Sequence, residues 1–317
     1  MKDILVTGGA GHVGSSLVDR LLKEDEYRVT VVDDLSTGHR RKMSFLGQER
    51  CNFIKADVNE RQDIQEVMLS RQFYAVFHLA AVVGVQRTQE DPCSVLLDIE
   101  GIRNILDLCK NIGVKRYLYS SSSEVYGEPV ETPQHEQRTP LNSRVPYAVV
   151  KNVGESFARS YHQEFGLDFT IFRLFNTYGP RQSEDFVISH FVARALRGDD
   201  ITIYGDGSQS RTFCYVDDTV DTMVTTLREE ACLNDVINIG ASVEVSVLEL
   251  AQRIIQITNS NSKIVYLPPL PDGDMTRRQP DNSKMLKLLK RDLIPLDDGI
   301  QRLLNDQIFM DLCGLKD

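Results

Sequence analysis

The 317-residue chain carries 46 acidic and 36 basic side chains, and its formal net charge of −10 argues against nucleic acid or an anionic membrane as the main partner. Hydrophobic residues make up 41% of the chain, but no apolar run approaches the roughly 20 residues of a membrane span. The amino terminus, MKDILVTGG, enters a predicted strand without signal-peptide features, so we expect a cytoplasmic protein.

Cysteine and histidine spacings give no sign of a metal site or of a disulfide framework. The six cysteines contain no C-x-x-C pair, and the six histidines form no H-x-x-x-H or H-E-x-x-H spacing. We therefore expect reduced, mostly buried thiols and no bound metal.

Short apolar runs alternate with helical patterns through the first half of the chain. The runs predict strands at residues 4–7, 29–32, 52–56, 75–79, 117–121 and 170–175. The intervening periodicities predict helices that include residues 15–23, 102–110 and 149–165. Strands that alternate with helices lie parallel and are joined by right-handed crossovers. The predicted fold class is therefore α/β, with a doubly wound parallel sheet of the Rossmann type.

A glycine-rich loop, TGGAGHVG, follows the first predicted strand and opens the first predicted helix. Its three spaced glycines permit a tight turn, close approach of a pyrophosphate, and close packing of helix on strand. The helix N-terminus then offers unpaired N–H groups and a positive dipole end to phosphates. This arrangement predicts a dinucleotide site. The predicted cofactor contacts in the loop are Gly8, Gly11, His12, Val13 and Gly14.

An acidic residue is expected about 20 residues after such a loop, and Asp33 ends the second predicted strand. Its carboxylate would accept from a ribose 2′-hydroxyl and repel a 2′-phosphate, which favours NAD over NADP. Asp34 is the neighbouring alternative, and residues 39–41 are interpreted as a solvated basic loop. Asp57 and Val58, after the third strand, are predicted at the adenine edge, although Asp57 would equally suit a turn or helix cap.

A tyrosine and a lysine four residues apart, Tyr147 and Lys151, lie on one face of a predicted helix. An ordinary amphipathic helix start would show the same spacing. However, Ser122 ends an earlier predicted strand and is expected to converge with this pair at the carboxyl end of the sheet. A nearby ammonium and a cationic nicotinamide both favour phenolate, so we expect the pKa of Tyr147 to fall from near 10 towards neutrality. Tyr147 would then accept a substrate hydroxyl proton as hydride leaves the same carbon, while Lys151 would bind the nicotinamide ribose.

The strand–helix rhythm breaks after Phe175, where glycine and proline become frequent. We therefore predict an NAD-binding domain over residues 1–175 and a smaller C-terminal substrate-binding lobe over residues 176–212 and 241–317. Residues 213–240 are expected to return to the NAD-binding domain. A lobe above the strand ends would create a cleft, where open α/β sheets bind ligands.

Taken together, the motifs resemble the extended short-chain dehydrogenases/reductases of the NAD-dependent nucleotide-sugar epimerase/dehydratase family. The resemblance covers nearly the whole chain. Its matching segments are TGGAGHVG (7–14), FHLAAVVGV (77–85), SSSSEVYG (120–127), the Tyr147/Lys151 pair, RLFNTYGPR (173–181), YGDGSQSRTFCYVDD (204–218) and RRQPDNSK (277–284).

The resemblance implies NAD as cofactor, a UDP-hexose as substrate, and a homodimer. It implies that Leu79, Ala80 and Ala81 line the cofactor cleft. It also implies that the substrate contacts are Asn176, Tyr204, Arg211 and Arg278, since guanidinium groups pair with phosphate oxygens. One departure is Asp98, which stands where the family usually has asparagine, so a carboxylate replaces an amide near the cofactor.

The resemblance leaves the reaction open between branches that all oxidise C4 of the sugar first. The short segment 181–185 and the plain Tyr-x-x-x-Lys resemble a UDP-hexose 4-epimerase, which is the predicted function. The sequence Ser122-Ser123-Glu124 suggests instead a UDP-glucuronate decarboxylase or a dehydratase that uses Glu124 for chemistry at C5, and Ser123 is also predicted to be catalytic. Glu124 would equally suit a structural hydrogen bond in its loop. A non-catalytic NAD-binding regulator is a remote alternative, because fold alone does not fix function.

Overall fold

Parallel strands form the centre of the protein in the computed structural model, which describes residues 1–84, 88, 91–268 and 278–315. Val85 and Arg277, at the ends of two motifs quoted above, lie outside these residues. In the described part of the chain the strands are β1 (Lys2–Thr7), β2 (Tyr27–Asp33), β3 (Cys51–Lys55), β4 (Phe73–His78), β5 (Arg116–Ser122), β6 (Asp168–Leu174), β7 (Thr177–Tyr178), β8 (Ile201–Tyr204), β9 (Ser210–Thr212), β10 (Cys214–Tyr215), β11 (Asp235–Ile239), β12 (Glu244–Ser246) and β13 (Ile264–Leu267).

Seven of these strands form one sheet in the order β11-β6-β5-β4-β1-β2-β3. Every neighbouring pair in it is parallel. The crossovers from β1 run first towards β3 and then towards β11, so the order reverses between β1 and β4. The doubly wound fold class is confirmed. Ligands bind outside the carboxyl ends of strands at such a reversal, so the cleft is expected there.

Helices cover both faces of the sheet. Within the described residues they are α1 (His12–Leu22), α2 (Arg61–Leu69), α3 (Pro92–Ile112), α4 (Pro146–Phe165), α5 (Val187–Arg197), α6 (Val216–Arg228), α7 (Val247–Thr258), α8 (Ser283–Leu289), α9 (Leu296–Leu304) and α10 (Gln307–Leu312). The described residues also form two short 3₁₀ turns, Arg40–Lys42 and Ser123–Tyr126. None of the described helices is both long and apolar enough to cross a membrane.

The core lies on both faces of the sheet because successive side chains in a strand point to opposite sides. In β1, Ile4 and Val6 join the hydrophobic cluster beneath α1 and α6, whereas Leu5 joins the cluster beneath α2, α3 and α4. Both faces are apolar, as is usual for parallel strands enclosed between helices. The strands therefore read as continuous apolar runs in the sequence.

The helix that carries Tyr147 has local signals at both ends. Pro146 occupies its first turn, where the fixed φ of proline suits a helix start and the missing N–H costs nothing. Gly166 ends it in the left-handed region, with φ of 70°. Tyr147 is consequently held in the first turn of α4, next to the end of β5.

The later part of the chain builds smaller pairings. Strand β8 pairs in parallel with β13, β9 pairs with β12 antiparallel, and β7 pairs with β10. Of residues 213–240, only β11 joins the main sheet, beside β6, whereas α6 flanks the sheet and packs against α1. The lobe boundaries given above stay a prediction.

A buried ion pair links α4 to β6. The Glu155 carboxylate accepts from Arg173 Nε at 2.8 Å and from Nη2 at 2.7 Å, and both side chains are only 2% exposed. Glu155 also accepts from the Ser121 hydroxyl at 2.7 Å, and Arg173 Nη1 donates to the Tyr126 hydroxyl at 2.9 Å. Every charge in this network has partners, so it fixes α4 relative to the strand ends.

We predict that Glu155→Gln lowers the free energy of unfolding by about 3 kcal/mol or more, because Arg173 would be left as an uncompensated buried charge. Chemical denaturation monitored by circular dichroism measures this. The matched control is Glu100→Gln, whose half-exposed pair with Arg103 should change stability by less than about 1 kcal/mol. Equal small effects of both substitutions would contradict the role given to this pair.

Candidate active site

Three of the predicted catalytic side chains lie together at the carboxyl end of β5. Lys151 Nζ donates to the Ser120 carbonyl at 2.8 Å and lies 5.7 Å from the centroid of the Tyr147 ring. Ser122, the last residue of β5, lies close enough to Tyr147 to lower the pKa of its phenol. A hydroxyl, a phenol and an ammonium therefore converge on one point of the cleft.

Burial drives both members of the Tyr–Lys pair towards their neutral forms. It lowers the pKa of Lys151, which is 3% exposed, to about 8, and the Asp98 carboxylate opposes this fall. Burial also raises the pKa of Tyr147, and the Glu124 carboxylate raises it further, while Ser122 lowers it. In the protein chain by itself the pKa of Tyr147 is thus raised, whereas the sequence led us to expect a fall towards neutrality. Desolvation outweighs the lowering influence of Ser122 and Arg278 there.

The Glu124 carboxylate contacts an arginine from the far end of the chain. Arg278 Nη1 lies 3.5 Å from Glu124 Oε1, and the two side chains are 12% and 23% exposed. The backbone N–H of Glu124 donates to the Ser122 hydroxyl at 3.1 Å. The predicted loop hydrogen bond thus involves the backbone of Glu124, whereas its carboxylate faces Arg278 across the cleft. Ser123, also predicted as catalytic, is 1% exposed at the start of a 3₁₀ turn.

Two positions of the glycine loop, Gly8 and Gly14, are packed too tightly for a side chain. A Cβ on Gly14 would lie 2.1 Å from the carbonyl oxygen of Gly8. Gly8 has φ of 70°, and a Cβ there would lie 2.6 Å from the backbone nitrogen of Ala80. Leu79 N and Ala80 N donate to Thr7, to its carbonyl at 3.2 Å and its hydroxyl at 3.3 Å. The segment of Leu79, Ala80 and Ala81 therefore lies against the glycine loop.

Asp33 closes the same end of the cleft from β2. Its carboxylate accepts from the N–H groups of Ala10 and Leu35, each at 2.9 Å, and burial raises its pKa. Arg40 and Arg41 are exposed, in keeping with the solvated loop predicted for them. The sequence did not single out Lys42, which is only 6% exposed and lies close enough to Asp33 to interact with its charge.

The other predicted cofactor contacts differ in their surroundings within the protein. Asp57 accepts from Asn59 N at 2.8 Å and so makes a turn, and Val58 is 8% exposed and packs against Gly101. Val13 packs against the core. Both ring nitrogens of His12 are buried without a hydrogen-bond partner among the described residues, and burial lowers its pKa to about 3. The His12 side chain is thus a neutral group.

Three of the four predicted substrate contacts have polar partners within the described residues. Asn176, with φ of 27°, donates through Nδ2 to the Thr212 carbonyl at 3.1 Å, beside Arg211 on β9. Arg211 is 7% exposed and donates to the Ser210 carbonyl at 2.7 Å. Tyr204 ends β8 with 46% of its surface exposed. Arg278 contacts Glu124.

Two charged groups near the Tyr–Lys pair were not assigned a role from the sequence. Asp98, noted only as a departure from the family pattern, is 8% exposed and interacts electrostatically with Lys151. Glu155 continues the spacing of Tyr147 and Lys151 by four more residues, so it occupies the same helix face. The spacing of Glu155 was visible in the sequence, whereas its ion pair with Arg173 was not.

Comparisons with known proteins agree with this geometry. A profile of the NAD dependent epimerase/dehydratase family matches residues 4–240. UDP-glucuronic acid decarboxylase 1 of Danio rerio is 36% identical over 310 residues, covering 95% of this chain and 71% of that protein. The structure of a Thermotoga maritima UDP-glucose 4-epimerase with UDP-glucose has a TM-score of 0.89 and 31% identity, over 96% of this chain and 97% of that one. A Thermus thermophilus UDP-glucose 4-epimerase complex with NAD has a TM-score of 0.87 and 27% identity, over 96% of this chain and 98% of that one.

The residues at the β1 end of the cleft fit a dinucleotide. The first turn of α1 presents backbone N–H groups that have no partner within the helix, which suits a pyrophosphate. Asp33 supplies a hydrogen-bond acceptor at the end of the next strand, which suits ribose hydroxyls. Among the described residues no group of three or more histidine, cysteine, aspartate or glutamate side chains is arranged to hold a metal ion.

We predict that Gly14→Ala weakens NAD binding at least tenfold, because the new methyl group would force the glycine loop open at Gly8. Isothermal titration calorimetry with NAD measures the change. The control is Ser16→Ala on the same helix, which adds no atoms and should bind NAD like the unmodified protein. Unchanged affinity in Gly14→Ala would show that the loop does not hold the cofactor.

Proposed function

The chain belongs to the NAD-dependent epimerase/dehydratase family of enzymes, and from that membership we propose that it oxidises C4 of a UDP-hexose transiently and releases the 4-epimer. Membership confirms the resemblance drawn from the motifs and identifies NAD as the cofactor. The observation that carries the proposal is the convergence of Ser122, Tyr147 and Lys151 beside the glycine-loop cleft. NAD, when bound, supplies the acceptor for the C4 hydride and the means of returning it.

Each of the three side chains has a distinct task in this proposal. Tyr147 takes the proton of the C4 hydroxyl during oxidation and returns it during reduction, as a general base and then a general acid. Ser122, beside the phenol at the end of β5, binds the same sugar oxygen. Lys151 keeps its positive charge beside the phenol ring and thereby favours phenolate. Because Tyr147 is buried, its phenolate needs that charge.

The sugar is reduced on its other face in a 4-epimerase, so no further acid or base is required. The short segment after the G-P-R motif supports this outcome, since α5 begins at Val187, directly after a turn over residues 183–186. The likeness to UDP-glucose 4-epimerases over most of the chain also supports it. We propose Asn176 and Arg211 as groups that bind the nucleotide diphosphate.

A second candidate, decarboxylation of a UDP-uronate, is favoured by the contact between Glu124 and Arg278. After oxidation at C4, the C6 carboxylate is β to a ketone and can leave as CO₂ while its bonding electrons stay at C5. Arg278 would attract that carboxylate, and a protonated Glu124 would deliver the proton that C5 requires. The identity to a UDP-glucuronic acid decarboxylase supports this alternative.

A homodimer remains a prediction of the family resemblance. Its most suitable surface is on α3 and α4, where large apolar side chains are exposed. These side chains are Leu96, Leu97, Val149 and Phe165.

We predict that Tyr147→Phe abolishes turnover by at least a hundredfold, because the substituted ring cannot accept a proton. NAD affinity and the midpoint of thermal unfolding should stay close to those of the unmodified protein. Conversion of UDP-sugars followed by proton NMR, together with calorimetry for NAD, measures both. Retention of most of the activity would remove Tyr147 from the proposed role.

Incubation with UDP-glucose, UDP-GlcNAc and UDP-glucuronate distinguishes the two candidate functions. Epimerised sugar supports the first candidate and released CO₂ the second, and no change in any UDP-sugar would contradict both.

Glu124→Gln should abolish decarboxylation but allow epimerisation. In an epimerase it should also move the acid limb of the pH–rate profile to lower pH. The negative charge of Glu124 raises the pKa of Tyr147, so its removal lets the phenol ionise at lower pH. Glu128→Gln, exposed in the same loop, is the control.

A further inference from the structure

Tyr119 is a large buried side chain next to the Tyr–Lys pair that the proposed mechanism does not use. It lies on β5, one residue before the Ser120 carbonyl that accepts from Lys151, and it is 1% exposed. Lys151 Nζ lies over the Tyr119 ring, 5.3 Å from its centroid, and 5.7 Å from the centroid of the Tyr147 ring. The amine is therefore placed against two aromatic rings and one carbonyl oxygen.

The Tyr119 ring is held in place by its neighbours in the sheet. It stacks on Tyr117 with centroids 5.9 Å apart and on His78 with centroids 6.0 Å apart. His78 Nδ1 in turn lies 2.8 Å from the Thr7 hydroxyl oxygen, in the strand that leads into the glycine loop. Side chains of β1, β4 and β5 therefore fix the ring next to the lysine.

Helix α4 approaches the same ring at a glycine. A Cβ built on Gly154 would lie 2.2 Å from the Tyr119 hydroxyl oxygen and 2.4 Å from its Cζ. Apart from proline, glycine is the least favourable residue in the interior of a helix. The sequence thus gives up helix propensity three residues after Lys151, and the Tyr119 ring fills the space that results.

The hydroxyl group of Tyr119 does not explain why a tyrosine ring occupies this position. Its oxygen is buried and has no hydrogen-bond partner in the part of the chain that the structure describes. Burial raises the pKa of the phenol well above its usual value, so the side chain is neutral. What Tyr119 offers to its surroundings is therefore its aromatic face, whose negative potential attracts a cation.

We propose that Tyr119 is a positioning residue whose ring forms a cation–π contact with Lys151 and keeps that lysine charged inside a dehydrated site. This inference rests on the proposed function, in which the lysine is an ammonium beside the Tyr147 phenol. The aromatic face stabilises the ammonium and not the neutral amine, because the attraction requires a positive charge. The Ser120 carbonyl, by contrast, can accept a hydrogen bond from either form.

Titratable groups on three elements interact with the charge of Lys151. Burial lowers the pKa of Lys151 to about 8, and the Asp98 carboxylate on α3 opposes the fall. His78 on β4 is neutral, since burial lowers its pKa to about 3, and burial raises the pKa of Tyr147 on α4, so its phenol is protonated. Loss of the Tyr119 ring should therefore lower the pKa of Lys151 further. The ammonium, which is present below that pKa, would then be lost at a lower pH.

The test is NMR titration of Lys151 in cofactor-free protein carrying isotope-labelled lysine, with Lys151→Arg used to assign the signal. In Tyr119→Leu the titration midpoint should fall by about 0.7 pH unit, a fivefold loss of proton affinity. Tyr119→Phe keeps the ring and should leave the midpoint close to that of the unmodified protein. Tyr119→Met gives the same measurement if Tyr119→Leu does not fold.

The matched control is Tyr117→Leu. Tyr117 is also fully buried, stacks on the Tyr119 ring, and lies two residues earlier on the same face of β5. Its loss opens a similar cavity but leaves the ring next to Lys151, so the midpoint should stay in place. An unchanged or higher midpoint in Tyr119→Leu would overturn the inference. An equal fall in Tyr117→Leu would overturn it too, since lost packing alone would then account for the shift.

Conversion of UDP-sugars by the unmodified holoenzyme tests the proposed function separately. If no UDP-sugar is converted, the proposed function fails, whereas the titration still decides whether the Tyr119 ring holds the charge of Lys151. Activity that is kept in Tyr119→Phe and lost at alkaline pH in Tyr119→Leu would support both.

Discussion

The hydrogen bond from Lys151 Nζ to the Ser120 carbonyl is the contact on which the candidate active site depends. It ties the first turns of α4 to the end of β5, and it holds an amine in a place where only 3% of the residue is exposed. The position of Tyr147 follows, because it lies one helical turn before the lysine on the same face. One turn later on α4, the ion pair between Glu155 and Arg173 links the helix to β6. The helix is therefore held at two points along the strand ends.

Burial and charge act against each other throughout this site. Desolvation favours the neutral forms of the phenol and of the amine. Two carboxylates raise the pKa of Tyr147 further. Glu124 contacts Arg278, and Asp98 accepts from Val82 N beside the cofactor-cleft segment. The proton affinity of Tyr147 therefore depends on charges contributed by several separate segments of the chain.

Local patterns in the sequence were sufficient for the sheet, the glycine loop and the Tyr–Lys pair. Each is encoded within a few residues, as an apolar run, a spacing of glycines, or a helical repeat. The predicted strand ends differ from β3 and β6 by one or two residues, since hydrogen bonding to neighbouring strands sets the limits. The sequence did not show that burial raises the pKa of Tyr147 in the protein chain by itself, because desolvation depends on packing. The contact between Glu124 and Arg278 joins residues far apart in the chain, and no local pattern encodes it.

The segment that carries Arg278 is held by an early part of the chain. Gln134 N donates to the Gln279 carbonyl at 2.7 Å, and Asp281 N donates to the Gln134 carbonyl at 2.8 Å. Asn238, on the edge strand β11, donates to the same Gln134 carbonyl at 2.9 Å. During synthesis from the amino terminus, the glycine loop is therefore translated long before the segment that carries Arg278. On a ribosome-bound nascent chain, the contact between Glu124 and Arg278 can form only after the polypeptide has been extended past Arg278.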